Sequence, residues 1–209
     1  MGTDIYLYAE IKKNNGWHHL GGVEENPEYY PEDEPNAQLL KPVEFYSTRN
    51  YNLFGILADV RNPNGRTFDN QKFEVISPPR GLPKDLSPEI QNWLKDWEWE
   101  DDEESDVSSP SWLLLSELLQ FDWHNKVMRY EAMVDARVAH LFEDEKPFPY
   151  RQWPEGIEIS YSQYHRDGVT VRWASTYAES VGKDFMDLLN DLRQHGEPSQ
   201  IRLVFWFGH

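Results

Sequence analysis

The stretch IRLVFWF, residues 201–207, is the strongest structural signal in this chain of 209 residues. Its last five residues are apolar without interruption, and a short run of this kind is typical of a β-strand buried on both faces. Near the other end of the chain, residues 4–12 alternate apolar and polar side chains, which predicts a half-buried strand. Strands are therefore expected at both ends of the sequence.

The region between these two strands has the patterns of helices and further strands. Apolar residues at helical spacing predict helices over residues 50–61, 88–97, 117–121, 126–142 and 179–195. Alternation or turn chemistry predicts extended segments over residues 17–23, 72–76, 111–115, 155–164 and 169–176. We therefore expect an α+β fold, a single domain over residues 1–209 with a mostly antiparallel sheet and helices packed on one face.

The composition excludes several classes of protein. The formal net charge of −17 argues against direct binding of a nucleic-acid backbone, which needs clustered Lys and Arg. The absence of cysteine excludes disulfides, thiolate metal sites and cysteine nucleophiles. Acidic residues concentrate at about 24–36 and 98–110, and we expect both segments to be solvated loops.

The sequence also bears on location. No apolar run approaches the roughly 20 residues that cross a bilayer, and residues 1–4 do not begin a signal peptide. We expect a cytoplasmic protein without a membrane partner. The sequence does not indicate an oligomeric state.

Two Arg-Asn pairs flank one apolar segment, RNYNLFGILADVRN, residues 49–62. Asn50 is suited to cap a helix, and Pro63 disfavours its continuation past Asn62. Such a helix is roughly 16–18 Å long, so Arg49 and Arg61 cannot hold one phosphate between them. Arg61 at the C-terminal end is favoured by the helix macrodipole, with an ion pair to a neighbouring acid as a further structural role.

A long loop follows this helix and is the candidate ligand site. Arginine forks, asparagine amides and open glycine backbone can bind an anion, and loops of this length are often functional. The alternative is a structural loop whose arginines pair with carboxylates. The predicted ligand-binding residues are Arg61, Asn62, Arg66, Arg80, Gly81, Asp4 and Asp59. We expect Asp4 to orient Arg49 or Arg80.

Catalytic and metal motifs are not evident in the sequence. Asp4 and Glu10 would lie about 20 Å apart along one strand, so they cannot share an ion. A metal held by Asp4 and Asp59 stays open as an alternative. The histidines lack the spacing of metal ligands, and nucleophile-elbow, phosphate-loop and dinucleotide motifs are missing. We assign no catalytic residue, no metal ligand and no cofactor.

Several stretches resemble a family of uncharacterised proteins found mainly in phages and prophages. The matching pieces are MGTDIYLYAEIK, RNYNLFGILADVRN, PPRGLP, SWLLLSELL and IRLVFWF. Members of that family often carry a histidine at the position of Tyr6 and histidines just before the Ser-Trp-Leu element, where this chain has Ser108-Ser109-Pro110. The resemblance implies a phage setting, in which small acidic proteins often inhibit host defences or bind defence signals. In that setting the expected location is the cytoplasm of the host cell.

The sequence thus favours a non-enzymatic binding protein that captures a small anionic, nucleotide-derived ligand and counters host defence signalling. One alternative is an acidic inhibitor whose charged segments bind a host defence protein directly. Another is a metal-dependent nucleotide hydrolase that uses Asp4 and Asp59. The partner is accordingly a small anionic ligand or a host defence protein.

Overall fold

A computed structural model describes residues 2–27, 29, 38–96, 107–157 and 168–208. Its strands are β1 (Asp4–Lys13), β2 (Gly16–His19), β3 (Val23–Glu25), β4 (Leu40–Pro42), β5 (Val107–Leu114), β6 (Val127–Asp135), β7 (Gly168–Thr176) and β8 (Ile201–Gly208). Its α-helices are α1 (Tyr51–Ala58), α2 (Pro88–Trp93), α3 (Leu115–Gln120), α4 (Ala136–Ala139), α5 (Tyr177–Val181) and α6 (Lys183–Leu192). All pairings between these strands are antiparallel, and the α+β prediction is confirmed.

The chain divides into two compact units. Unit 1 comprises Met1–Arg49, Ile76–Phe121 and Asp187–His209. Unit 2 comprises Asn50–Val75 and Asp122–Met186. Each unit has its own antiparallel pairing, a four-stranded sheet with a separate two-stranded ribbon in unit 1 and a second ribbon in unit 2.

The four-stranded sheet of unit 1 has the order β2-β1-β8-β5. Strand β8 lies between two neighbours, and every residue from Ile201 to Phe207 is buried, as its apolar run predicts. Strand β1 pairs along its length with β8, from Asp4 opposite Gly208 to Ile11 opposite Ile201. The two terminal strands of the sequence therefore build the centre of this sheet.

A buried ion pair crosses one face of the same sheet. Glu10 of β1 and Arg202 of β8 are register partners, and Arg202 Nε donates to Glu10 Oε2 at 2.6 Å. Arg202 also donates from Nη1 to Asp85 Oδ1 at 2.8 Å, and its guanidinium lies 4.0 Å over the Trp17 ring. The Ser87 amide donates to the other oxygen of Glu10, so this carboxylate is satisfied on both sides.

Unit 2 is built on the ribbon of β6 and β7, which are in register from Val127 opposite Thr176 to Asp135 opposite Gly168. The predicted helix over residues 126–142 is wrong, because residues 127–135 are strand and only a single turn, α4, follows. Tyr130 and Val134 are four residues apart, and this spacing occurs on one face of a strand as well as on one face of a helix. Met128, Tyr130, Ala132 and Val134 are buried in alternation, which is the period of a strand.

Other predicted boundaries also differ from the structure. Residues 72–76 form no strand, and the predicted helix over residues 179–195 is two helices, α5 and α6, separated by Gly182 at φ +84°. The described partner of β7 is β6, whereas most of the predicted partner strand, residues 158–164, lies outside the described residues. Much of the two predicted acidic loops also lies outside them, and residues 24–25 and 107–110 are strand.

Candidate functional site

Helix α1 begins at an asparagine cap and ends at an aspartate in a left-handed conformation. The Asn50 side chain caps the helix by accepting from the amides of Asn52 at 3.0 Å and Leu53 at 3.2 Å, as predicted. The helix ends at Asp59, which has the left-handed φ of 59°, and so it stops earlier than the sequence predicts. The chain then turns into the segment that carries the predicted ligand residues.

Asn62 fixes the shape of this segment. Its Nδ2 donates to Asp59 Oδ1 at 2.8 Å and to the Phe73 carbonyl at 2.9 Å, and its Oδ1 accepts from the Phe73 amide at 2.8 Å. Asn62 is 9% exposed and Phe73 is 3% exposed, so these bonds are shielded from water. The side chain of Asn62 is therefore committed to holding the loop closed.

A second asparagine pair shapes the next turn. Asn64 Nδ2 donates to Asn52 Oδ1 at 2.6 Å, and the Arg66 amide donates to Asn64 Oδ1 at 3.0 Å. Non-glycine residues with left-handed φ values recur along this loop at Asp59, Arg61, Asp69 and Asn70. Such conformations cost free energy and are enriched at binding sites, so this loop is a place to look for one.

The loop continues to the exposed face of the β6–β7 ribbon. The Thr67 backbone bridges to Tyr130 of β6 in antiparallel fashion. On the exposed face, Glu131 and Arg172 are cross-strand register partners, and Arg172 Nε donates to Glu131 Oε2 at 2.8 Å. The loop residue Phe68 lies against this pair, with its ring centroid 4.3 Å from the guanidinium carbon of Arg172.

Loop and ribbon enclose a cleft of about 510 Å³, which we call the Arg172 cleft. This volume falls within the range of about 300–1,000 Å³ that is typical of small-molecule sites. The lining combines one guanidinium, two carboxylates, hydroxyl and amide groups and a few apolar side chains: Gly65, Thr67, Phe68, Asp69, Asn70, Glu131, Ala132, Met133, Thr170 and Arg172.

Two further pockets of unit 2 share Arg172 with this cleft. One, of about 220 Å³, is lined by Arg129, Asp144 and Glu145 together with the buried rings of Tyr130 and Trp173. These two rings stack with their centroids 5.3 Å apart. The other, of about 420 Å³, extends along β7 past Thr170 and Val169. Arg172 thus lies where three depressions of the surface meet.

The arginines of these pockets are paired but remain accessible. The side chains of Arg172 and Glu131 are 49% and 34% exposed. Arg129 Nε donates to Glu145 Oε1 at 2.7 Å, and this hydrogen bond raises the pKa of Arg129 above its ordinary value. Exposed ion pairs are weak because water screens them, so another anion can compete for these guanidinium groups.

Three of the residues predicted to bind ligand lie in unit 1. Arg80 donates to both carboxylate oxygens of Glu117, at 2.9 and 2.5 Å, and its guanidinium lies 4.9 Å over the Trp112 ring. The hydrogen bond from Arg80 lowers the pKa of Glu117 below its ordinary value. The Gly81 amide donates to the Pro110 carbonyl at 3.0 Å.

Asp4 is the third of these unit 1 residues. Arg49 donates to its two oxygens at 2.9 and 2.7 Å, and this hydrogen bonding lowers the pKa of Asp4 below its ordinary value. Asp4 therefore orients Arg49, which is one of the two arginines, Arg49 and Arg80, that we expect it to orient. The role of Asp4 at a ligand site stays a prediction.

The other four predicted residues lie together in the unit 2 loop. The Arg61 guanidinium lies 5.7 Å over the Tyr51 ring, and Asp59 accepts from Asn62 and lies 3.6 Å from Lys72 Nζ. Arg66 directly follows Gly65, which lines the Arg172 cleft. The predicted loop is thus a wall of the cleft, and direct ligand contacts by Arg61, Asn62, Arg66 and Asp59 stay predictions.

The cleft itself was not predicted from the sequence. Its main charged groups, Arg172, Glu131 and Asp69, were not among the candidate residues. A signal was present in residues 169–176, because the alternation there places Arg172 on the exposed face of a strand. The mistaken helix over residues 126–142 concealed the partner strand that brings Glu131 beside it.

In the part of the chain that the structure describes, neither a metal-binding cluster nor a membrane-spanning helix is found. There, no three His, Asp or Glu side chains are grouped so that they could hold a metal ion. Nor does that part contain a helix long and apolar enough to span a membrane.

No protein-family model, curated protein or solved structure matches this chain.

Proposed function

We propose that this chain is a binding protein that captures a small anionic, nucleotide-derived ligand in the Arg172 cleft of unit 2. In the phage setting that the sequence resemblance implies, such capture would counter a host defence signal. The residues in the cleft provide groups for holding a ligand, and we assign no catalytic role to any of them.

The observation that carries this proposal is the placement of Arg172. Its guanidinium carbon lies 4.3 Å from the centroid of the Phe68 ring, and Arg172 lines all three pockets. Arginine recognises phosphate and carboxylate groups by two parallel hydrogen bonds, so a guanidinium held against an aromatic ring is suited to an oriented anion.

An anion reaches Arg172 by replacing its glutamate. Glu131 holds Arg172 through one contact at 2.8 Å on the solvent side of the ribbon. Arg80, in contrast, makes a two-point contact with Glu117, and Arg202 is buried with Glu10. Among these three paired arginines, Arg172 is therefore the one that an incoming phosphate can engage at the lowest cost.

Native mass spectrometry of the protein purified from cells that produce defence nucleotides tests this proposal. A small anionic mass retained by the wild type and lost from Arg172→Ala is the expected result. Arg137→Ala is the matched control, because Arg137 is an exposed arginine of unit 2 that pairs with Asp135, and neither residue lines the three pockets. A bare protein mass for all three proteins would refute capture.

A second candidate function is an acidic inhibitor that binds a host defence protein. Unit 1 carries 23 of the 37 acidic and 9 of the 20 basic residues, so its formal net charge is −14, whereas that of unit 2 is −3. Such asymmetry favours association with a basic surface. In unit 1 the exposed strand β3 places Glu24 and Glu25 beside exposed Val23.

Salt dependence separates the two candidate functions. An inhibitor that binds through unit 1 should lose its partner as the ionic strength rises, because exposed charges are screened over about 10 Å at 0.1 M salt. Co-purification of one host protein at low salt, lost in a Glu24→Gln/Glu25→Gln variant and unaffected by Arg172→Ala, would favour the inhibitor. Binding that is lost in Arg172→Ala and unaffected by Glu24→Gln/Glu25→Gln would favour ligand capture.

A further inference from the structure

We infer that the ligand of the Arg172 cleft carries vicinal hydroxyl groups, as a ribonucleotide does, and that Asp69 and Glu131 accept hydrogen bonds from them. This inference rests on the proposed function and adds the class of nucleotide. It follows from the carboxylates that line the cleft together with Arg172.

The cleft contains hydrogen-bond acceptors that a phosphate does not satisfy, because a phosphate is itself mainly an acceptor. An ionised carboxylate is an acceptor only, and Asp69 and Glu131 both line the cleft with Arg172. Asp69 is exposed, and its carboxylate makes no hydrogen bond or ion pair to another residue that the structure describes. Glu131 accepts from Arg172 at Oε2. These acceptors call for a ligand that brings its own donors.

Charge repulsion assigns the two ends of the ligand. A phosphate beside Asp69 would meet a carboxylate that pairs with no cation the structure describes, whereas beside Arg172 the guanidinium faces the carboxylate of Glu131, so the anionic group belongs at Arg172. The part of the ligand that faces Asp69 must then be neutral and rich in O–H or N–H donors. A ribose meets this need, since carboxylates commonly hydrogen-bond the 2′-hydroxyl of a bound nucleotide.

The backbone around Asp69 is consistent with a fixed acceptor. Asp69 and Asn70 have left-handed φ values of 54° and 52°, and the amides of Asn70 and Gln71 close turns onto Thr67 and Phe68. The Thr67 hydroxyl also donates to the Gln71 carbonyl at 2.7 Å. The loop thereby holds Asp69 at the rim of the cleft beside the ring that positions Arg172.

Calorimetric titration with the four ribonucleoside 5′-monophosphates and their four 2′-deoxy counterparts tests the inference. Ribose 5-phosphate and 2-deoxyribose 5-phosphate separate the contribution of the sugar from that of the base, and orthophosphate reports the anion alone. We expect at least one ribonucleotide to bind about tenfold or more tightly than its deoxy form, which is the effect of one hydrogen bond to a charged group.

Variants at Asp69 assign the preference to this residue. Asp69→Gly removes the acceptor and suits a left-handed φ, and Asp69→Asn keeps the shape and removes the charge. We expect the ribose preference to vanish in the first and to fall in the second. The matched control is Glu155→Gln, which removes an exposed charge of unit 2 that does not line the cleft.

The results of these titrations distinguish failure of the ribose inference from failure of the proposed function. Equal binding of ribo- and deoxynucleotides, still lost in Arg172→Ala, would overturn the ribose inference and leave ligand capture standing. A ribose preference that survives Asp69→Gly would also overturn the inference. Absence of binding by every nucleotide, sugar phosphate and orthophosphate would overturn both the inference and the proposed function.

Discussion

Asn62 pairs with the backbone of Phe73 as a neighbouring strand would. Its side-chain amide donates to the Phe73 carbonyl at 2.9 Å and accepts the Phe73 N–H at 2.8 Å. One side chain therefore replaces two backbone hydrogen bonds at a place where residues 72–76 form no strand. The loop that walls the Arg172 cleft depends on this contact.

Asn62→Ala should destabilise the protein strongly. The substitution leaves the buried N–H and C=O of Phe73 without their partner, and each unsatisfied group costs about 1–3 kcal/mol. We expect a loss of about 2–4 kcal/mol in the free energy of unfolding, measured by urea denaturation. Asn125→Ala, in an exposed turn, is the control, and a loss at Asn62 no larger than that of the control would contradict this role.

Gly55→Ala should also destabilise, although it lies inside a helix. Alanine in place of glycine in an exposed helix normally stabilises by about 1 kcal/mol. A Cβ at position 55 would lie 3.2 Å from Cβ and Cγ of Asn62, and three hydrogen bonds hold Asn62 in place. Thermal unfolding of the variant should show a lower melting temperature than the wild type. A higher melting temperature would mean that Asn62 shifts away from the new Cβ at little cost, which would contradict its fixed position.

The buried pair of Glu10 and Arg202 should show strong coupling. Arg202→Met leaves an unpaired carboxylate in the core of unit 1, which typically costs about 3–5 kcal/mol. Adding Glu10→Gln removes that charge and keeps an acceptor for the Ser87 amide. We expect the double variant to be more stable in urea than Arg202→Met alone. If the double variant lost as much free energy of unfolding as the two single variants added together, the two residues would not be coupled.

The contact between Arg80 and Glu117 should make stability depend on pH. Arg80 lowers the pKa of Glu117 below its ordinary value of 4.5 in the folded protein. Its contribution is therefore complete above about pH 4.5 and is lost as the pH falls through the lower folded value. Glu117→Gln should be less stable than the wild type at pH 7, and the difference should shrink towards pH 3. A constant difference over this range would contradict the assignment.

Much of unit 1 can be predicted from the sequence because its signals are local. The apolar run of residues 201–207 and the alternation of residues 4–12 each indicate a strand without reference to the rest of the chain. In unit 2, Asn50 likewise indicates its own role as a helix cap, since it directly precedes the apolar face of α1. The pairing of β1 with β8 joins residues almost 200 positions apart, and no local pattern specifies such a contact.

The candidate site is less predictable because it depends on such pairing. Arg172 and Glu131 meet only because β6 and β7 are in register, and the sequence around Glu131 fits a helix nearly as well as a strand. Arg80 looks like an anion ligand in sequence, and its engagement with Glu117 depends on contacts between segments 37 residues apart. The ligand contacts predicted for the loop after α1 stay predictions, and the partners of its side chains depend on the fold.

A titration followed by ¹H–¹⁵N NMR tests the central claim most directly, because it reports both binding and location. On addition of ribonucleoside 5′-monophosphates, the account predicts that amide signals shift in residues 65–70, 129–133 and 170–173, and that Arg172→Ala abolishes the shifts. Arg137→Ala should retain them. Shifts confined to unit 1, or a spectrum unchanged by every nucleotide, would contradict capture of an anionic ligand at Arg172.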